Sequence, residues 1–311
     1  MSKVRENVIE TMRSLKDLIV GYDDLVRLLF VAALTRGNIL IEGPPGTGKT
    51  TAAKLFAEMF GGTFKRVQMT PDLLPSDIIG SYYFDLRKGE WVLRKGPLFA
   101  NVVLVDELNR APPRTQSALL EAMQERQVSI DGVVHHLPEV FMVVATQMPT
   151  GAEGTYPLTP VLVDRFSYYY VTRYFNDEEV ESAIVLKAEE IEGSSGRNSF
   201  SLELLEEASK EVSKVYVSDK VLRYIVRLVT FIRGREEVLI PPSPRASIWL
   251  YRGSKAMAYL DGSDYVVPDH VKWLARYVLT HRIHLKPEYQ AEGVKPADLV
   301  EQAIRSVEVP K

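Results

Sequence analysis

The run Gly43-Pro-Pro-Gly-Thr-Gly-Lys-Thr50 constrains this chain more than any other segment. It satisfies the spacing G-x-x-x-x-G-K-[ST], whose fixed positions arise by chance in about 1% of chains of this length. The apolar run Ile39-Leu-Ile41 leads into it, and the helix-compatible stretch Thr51–Phe60 leads out. A strand, a glycine loop and a helix in that order make a cradle for phosphate. The glycines let backbone N–H groups close around the oxygens, and the helix N-terminus adds the positive end of its dipole. Gly43, Pro44, Pro45, Gly46, Thr47, Gly48 and Thr51 are therefore expected to line the phosphates. Lys49 reaches the β- and γ-phosphates, and the Thr50 hydroxyl ligates Mg²⁺.

The second half of such a site is expected on another strand. Val102-Val-Leu-Val-Asp106-Glu107 is an apolar run ending in two acids. Asp106 is placed to hold Mg²⁺ through water, and Glu107 to orient and activate an attacking water. Around these motifs, short apolar runs alternate with amphipathic stretches: Ile39–Glu42, Phe64–Met69, Val102–Asp106, Phe141–Thr146 and Tyr168–Val171 read as strands. Several are apolar throughout, as strands covered on both faces are. Thr51–Phe60 and Gln116–Glu125 carry helical spacing. The pattern predicts a doubly wound α/β domain with a parallel sheet.

Two stretches break the rhythm. Gln127–Ile130 and Val133–His136 flank Asp131-Gly132, the signature of a two-residue hairpin turn. Tyr82–Leu86 and Trp91–Arg94 read as a second hairpin, gathering Tyr82, Tyr83, Phe84 and Trp91. Those aromatics either grip a substrate or pack the hairpin onto its domain. Beyond residue 172 the pattern turns helical. Asn176 with Glu179 suggests a capping box, Ser218 precedes Asp219–Arg233, and Ser243-Pro244 opens another helix. Domains are expected at 1–172 and 173–311, the second all-helical, with Gly193–Asn198 as its most linker-like stretch. His281 and His284 lie one turn apart, but nothing at matching spacing completes a metal site; they read as surface or capping residues.

Composition narrows the class. A length of 311 residues suits two domains, and a net charge of −3 gives no bulk attraction to nucleic acid or anionic membrane. The absence of cysteine excludes disulfides, thiolate metal sites and cysteine nucleophiles. The longest apolar run, Leu28–Leu34, falls far short of the ~20 residues of a spanning helix, and the charged N-terminal stretch does not read as a signal peptide. The expected compartment is the cytoplasm.

The stretch Asp106–Gln127, Gly154–Leu158 with Asp164-Arg-Phe166, and Ser243-Pro-Arg245 together resemble the MoxR family of AAA+ ATPases, over nearly the whole chain. The resemblance implies a P-loop AAA+ domain with two β-hairpin inserts and a smaller helical lid. It also implies Mg-ATP hydrolysis, a homo-oligomeric ring expected to be a hexamer, and remodelling of protein clients, often with a von Willebrand A-domain protein. Arg165 matches the arginine finger offered to ATP in the neighbouring subunit; the residue-level alternative is an ion pair with Asp164. Arg245 matches a second sensor that reaches the phosphates of its own chain; the alternative is a capping arginine. The family usually has Asn where this chain has Met148, after Gln147. A thioether is a weak acceptor and cannot donate, so slow hydrolysis is expected. Two further readings follow: an ATP-binding switch with little turnover, and a nucleic-acid motor using the basic cluster Arg87, Lys88, Arg94 and Lys95.

Overall fold

A computed structural model describes residues 2–59, 61–149, 151–193 and 200–310. Helices α1 (Lys3–Leu18) and α2 (Asp23–Leu34) precede the first strand, and the sequence reading assigned neither. Ser2 caps α1 by accepting from the Arg5 N–H, and α2 is buried along most of its length. Then follow β1 (Ile39–Glu42), α3 (Lys49–Met59), β2 (Phe64–Gln68) and the short α4 (Pro75–Ile79). A hairpin comes next, β3 (Gly80–Asp85) with β4 (Glu90–Lys95), and then β5 (Val102–Asp106). The expected helix at Gln116–Glu125 is divided into α5 (Pro113–Gln116) and α6 (Ala118–Glu125), and a second hairpin pairs β6 (Gln127–Ile130) with β7 (Val133–His136). Strand β8 (Met142–Gln147), the short α7 (Pro160–Val163) and β9 (Tyr168–Val171) complete this part.

The five-stranded sheet is parallel in the order β2-β5-β8-β1-β9. Alternation along β5 explains why its residues are all apolar until Asp106. Val102 and Leu104 join one core, Val103 and Val105 the other, so both faces are covered. Register then decides what meets at the carboxyl edge. Gln68 pairs with Asp106, Val105 with Ala145, and Glu42 with Gln147. Loops leaving β1, β5 and β8 therefore open on one crevice, where doubly wound sheets bind ligands.

The hairpins form as expected. Asp131 and Gly132 both have positive φ (49° and 81°), as a primed two-residue turn requires. In the other hairpin Phe84 pairs with Trp91, their rings edge to face at 5.6 Å. Tyr82 is half-buried against the second core, its hydroxyl 3.3 Å from His135 Nε2. Phe84 and Trp91 stay 45% and 68% exposed. Packing thus accounts for Tyr82 but not for that pair.

The second part holds α8 (Glu178–Gly193), α9 (Leu202–Lys214), α10 (Asp219–Arg233), β10 (Val238–Ile240), α11 (Pro244–Leu260) and α12 (Pro268–Leu279). It continues through β11 (His284–Leu285), α13 (Pro287–Ala291) and α14 (Pro296–Ser306). It is not all-helical: β10 pairs antiparallel with β11. That pairing joins segments far apart in the chain, so no local periodicity reveals it. Ser218 and Ser243 cap their helices as expected. The cap of α8 is Asp177 rather than Asn176, accepting from the Glu179 and Val180 N–H groups. Of the linker-like stretch, Gly193 ends α8 and residues 194–198 lie outside the described residues. The first core runs without interruption from α1 and α2 through the sheet into α9, α11 and α12. No helix among the described residues is long and apolar enough to cross a membrane.

Candidate nucleotide site

The loop after β1 has the conformation that its glycines permit. Gly46 and Gly48 have φ of +75° and +74°, and a Cβ on either would meet nothing within 4 Å. Backbone conformation, not crowding, demands glycine there, and it leaves open space against the loop. Lys49 is buried, with Nζ donating to the carbonyls of Gly43 (2.9 Å) and Pro44 (2.6 Å). Burial lowers its pKa, while the nearby Asp106 and Glu107 oppose that shift. Thr47 donates to the Pro44 carbonyl and shares a 2.9 Å hydrogen bond with Thr172, pinning the loop to the end of β9.

Loop and acids face a common cavity of about 400 Å³, which Gly46, Thr50, Asp106, Glu107, Thr146 and Met148 help to line. The Thr50 hydroxyl lies 3.2 and 3.3 Å from the two Asp106 oxygens. A hydroxyl in the first turn of α3 and a carboxylate at the end of β5 are hard oxygen donors that fit Mg²⁺ beside phosphate. Glu107 occupies the left-handed region (φ 56°, ψ 49°), a conformation that costs a non-glycine residue about 1–3 kcal/mol and gathers at functional sites. Its Oε2 accepts from Gln68 Nε2 (2.8 Å) and pairs with Arg110 Nε (3.1 Å).

Four residues of this network escaped the sequence reading: Arg66, Gln68, Arg110 and Thr146. Thr146 donates to Asp106 at 2.6 Å and accepts from the Glu107 N–H at 2.9 Å, so it sets both acids. Arg66 Nη2 holds the other Asp106 oxygen at 2.6 Å and also donates to Gln68. Arg66 and Gln68 reach the acids because β2 pairs in register with β5, which the strand alone does not announce. Met148 lines the cavity, while its backbone N–H and carbonyl both bond the Asn109 side chain. Gln147 also lines the cavity and donates its side-chain amide to Glu42.

Beside the loop lies a second, more apolar cleft of about 340 Å³, lined by Ile19, Tyr22, Thr51, Ala52, Phe175 and Ile184 among others. Thr51 faces both cavities. The cleft joins the α1–α2 connection to the segment after β9. No local pattern in either announces it.

Arg165 and Arg245 line neither cavity. The side-chain contact of Arg245 among the described residues is with Asp164 and not with the phosphate loop. Its Nη1 is held by Asp164 at 3.2 Å, and Ser243, the cap of the same helix, donates to that carboxylate at 2.9 Å. Asp164 also takes Arg282 at 3.1 Å, so its partners are Arg245, Arg282 and Ser243, not Arg165. The alternative reading of Arg165 as the ion-pair partner of Asp164 is therefore not realised either. Arg165 makes no salt bridge among the described residues, and its buried Nε has no hydrogen-bond partner. Desolvation, then the nearby Arg245 charge, lowers its pKa. The two arginines thus stand near each other and outside the two cavities beside their own phosphate loop.

His281 is buried rather than at the surface. Its Nε2 lies 3.0 Å from the Phe166 carbonyl, and burial followed by the adjacent Arg282 charge takes its pKa well below 6.5, so it is neutral.

Residues 38–168 match the ATPase family associated with various cellular activities (AAA), and residues 237–303 match an AAA lid domain. Among curated proteins, the chain is 39% identical to the uncharacterized protein YeaC of Bacillus subtilis, covering 94% of this chain and 92% of that protein. It is 37% identical to the chaperone MoxR1 of Mycobacterium tuberculosis, over 95% of this chain and 80% of that one. Among solved structures, a candidate ATPase from Cytophaga hutchinsonii superposes with a TM-score of 0.90 at 36% identity, covering 99% of this chain and 96% of the other.

Proposed function

The chain belongs to the MoxR family of AAA+ ATPases, and from that premise we propose that it hydrolyses ATP with Mg²⁺ at sites shared between neighbouring subunits of a homo-oligomeric ring. The observation that carries this reading is the separation of parts within one chain. Lys49, Thr50, Asp106 and Glu107 converge on one cavity, while Arg165 and Arg245 stand together elsewhere with Arg165 unpaired. Guanidinium groups suit the charge that spreads over a transferring phosphoryl group. Arg165, unpaired among the described residues and outside both cavities of its own chain, is available to serve a neighbour's loop.

In this reading the loop from Gly43 to Thr51 grips the triphosphate, and the apolar cleft beside it takes the base. Thr50 and Asp106 hold Mg²⁺, which supplies charge neutralisation between the phosphates. Glu107, steadied by Gln68 and Arg110, orients the water and accepts its proton. A hexameric ring is the proposed assembly. The work done is remodelling of a protein client, with a von Willebrand A-domain protein as the candidate partner and the cytoplasm as the setting. The exposed Phe84–Trp91 pair is the surface proposed to meet that client.

Steady-state release of phosphate from ATP by the purified protein tests this directly. Turnover is expected with Mg²⁺ and is expected to vanish when a chelator removes it. Binding of ATP without turnover under both conditions would instead favour the second reading, a nucleotide-binding switch.

Met148 is the specific observation behind that second reading. It lines the cavity where relatives of the family place Asn, leaving the site one polar contact short. A hydrogen bond to a charged group contributes about 1.5–3 kcal/mol, or about tenfold to a hundredfold in rate. Met148→Asn is therefore expected to raise single-turnover hydrolysis by that factor at unchanged ATP affinity, measured at equal assembly. A wild type as fast as Met148→Asn would assign the sensing to another residue.

A further inference from the structure

Arg282 is the least exposed charge among the described residues of the lid, its side chain 1% accessible, and no part of the proposed site uses it. It closes the short turn Thr280–Arg282 after α12. Burying a guanidinium this completely is costly unless every donor is met. The donors are met, and nearly all by one short segment. Nε donates to Asp164 Oδ1 at 3.1 Å, and Nη2 to the carbonyls of Phe166 (2.6 Å) and Asp164 (3.3 Å). Nη1 donates to the carbonyls of Ser167 (3.3 Å) and Val278 (2.5 Å), the last anchoring the fork to its own helix.

The residues so gripped are 164, 166 and 167, which bracket Arg165 without touching its side chain. The neighbouring His281 places Nε2 2.7 Å from Arg282 Nη1 and 3.0 Å from the Phe166 carbonyl, and packs over Tyr169, ring centroids 5.4 Å apart. Arg165 itself has no hydrogen-bond partner at its buried Nε, so the backbone on either side of it is the part that the lid holds.

We infer that Arg282 is a positioning residue: its fork fixes the backbone on either side of Arg165, so that the lid of one subunit aims the arginine presented to the next. A planar fork with five donors does this where a lysine, a point charge with a flexible stem, does not. The fork makes the turn and the end of α12 move together, so a change in lid position is carried to Arg165. The inference rests on the shared-site reading above.

The test uses two subunits that complement each other. Lys49→Ala keeps the arginines but lacks the phosphate grip; Arg165→Ala keeps the grip but lacks the finger. Their mixture is expected to hydrolyse ATP only at sites where the first serves the second. Arg282→Gln placed in the Lys49→Ala subunit is expected to lower that recovered turnover about a hundredfold, the scale of a misplaced catalytic group. Placed in the Arg165→Ala subunit, the same substitution is expected to leave it within about twofold, because the arginine that Arg282 positions is already absent there. Arg282→Lys, which keeps the buried charge and loses the fork, is expected to show the same asymmetry. Asp164→Asn, at a partly exposed side chain, carries the test if neither Arg282 variant assembles. Equal loss in both placements would mean that Arg282 only supports the fold, and no loss in the first placement would overturn the inference outright. Silence of the parent mixture in rings shown to be mixed would instead sink the shared-site reading, and the inference with it.

Discussion

Lys49→Ala is expected to abolish nucleotide binding, while Glu107→Gln is expected to bind ATP normally and fail to turn it over. Both residues line one cavity, but their surroundings divide the labour between them. Lys49 is a buried cation braced on the Gly43 and Pro44 carbonyls, so truncation removes both the phosphate-facing charge and an internal strut of the loop. Losing charge-assisted hydrogen bonds to two phosphates weakens binding by about a hundredfold or more, read by titration of a fluorescent ATP analogue. Glu107 touches no part of the loop; Gln68, Arg110 and the Thr146 hydroxyl hold it instead. Gln preserves its shape and removes only its capacity to take a proton, a loss of about 10²–10⁴ in turnover. Retained hydrolysis in Glu107→Gln would take that residue out of the reaction.

Arg165→Ala is expected to bind ATP with near-normal affinity and to lose about 10³–10⁵ in turnover, the range measured for arginine fingers. The asymmetry follows from where Arg165 sits, outside both cavities of its own chain and unpaired among the described residues. Arg245→Ala is expected to follow it more weakly, because Asp164 already engages that guanidinium. A large loss of ATP affinity in Arg165→Ala would return the residue to its own chain's site.

How much of this was legible in the sequence depended on whether the determinant was local. The phosphate loop is a contiguous motif flanked by a strand and a helix, so its residues could be named in advance. The strands β1, β5 and β9 announce themselves by apolar runs, and the β6–β7 hairpin by its Asp-Gly turn, signals that act over a few residues. Thr146 and Gln68 were invisible because they matter only through register. Pairing across β2, β5 and β8 brings three polar ends to one edge, and nothing in each strand alone says so. The β10–β11 pair, the apolar cleft beside the loop and the burial of His281 share this non-local origin. Arg245 was named from the resemblance, with its place in the first turn of a helix in support; its contact with Asp164 joins α11 to the turn after α7 and has the same non-local origin.

The central claim, that one site is built from two subunits, is tested most directly by mixing Lys49→Ala and Arg165→Ala proteins over a range of ratios and measuring ATP turnover. Each alone is expected to be inactive. Turnover is expected to rise in the mixtures and to peak at intermediate ratios, where most neighbours are of opposite kind. Mixtures as inactive as the parents, in rings demonstrated to contain both, would contradict the account.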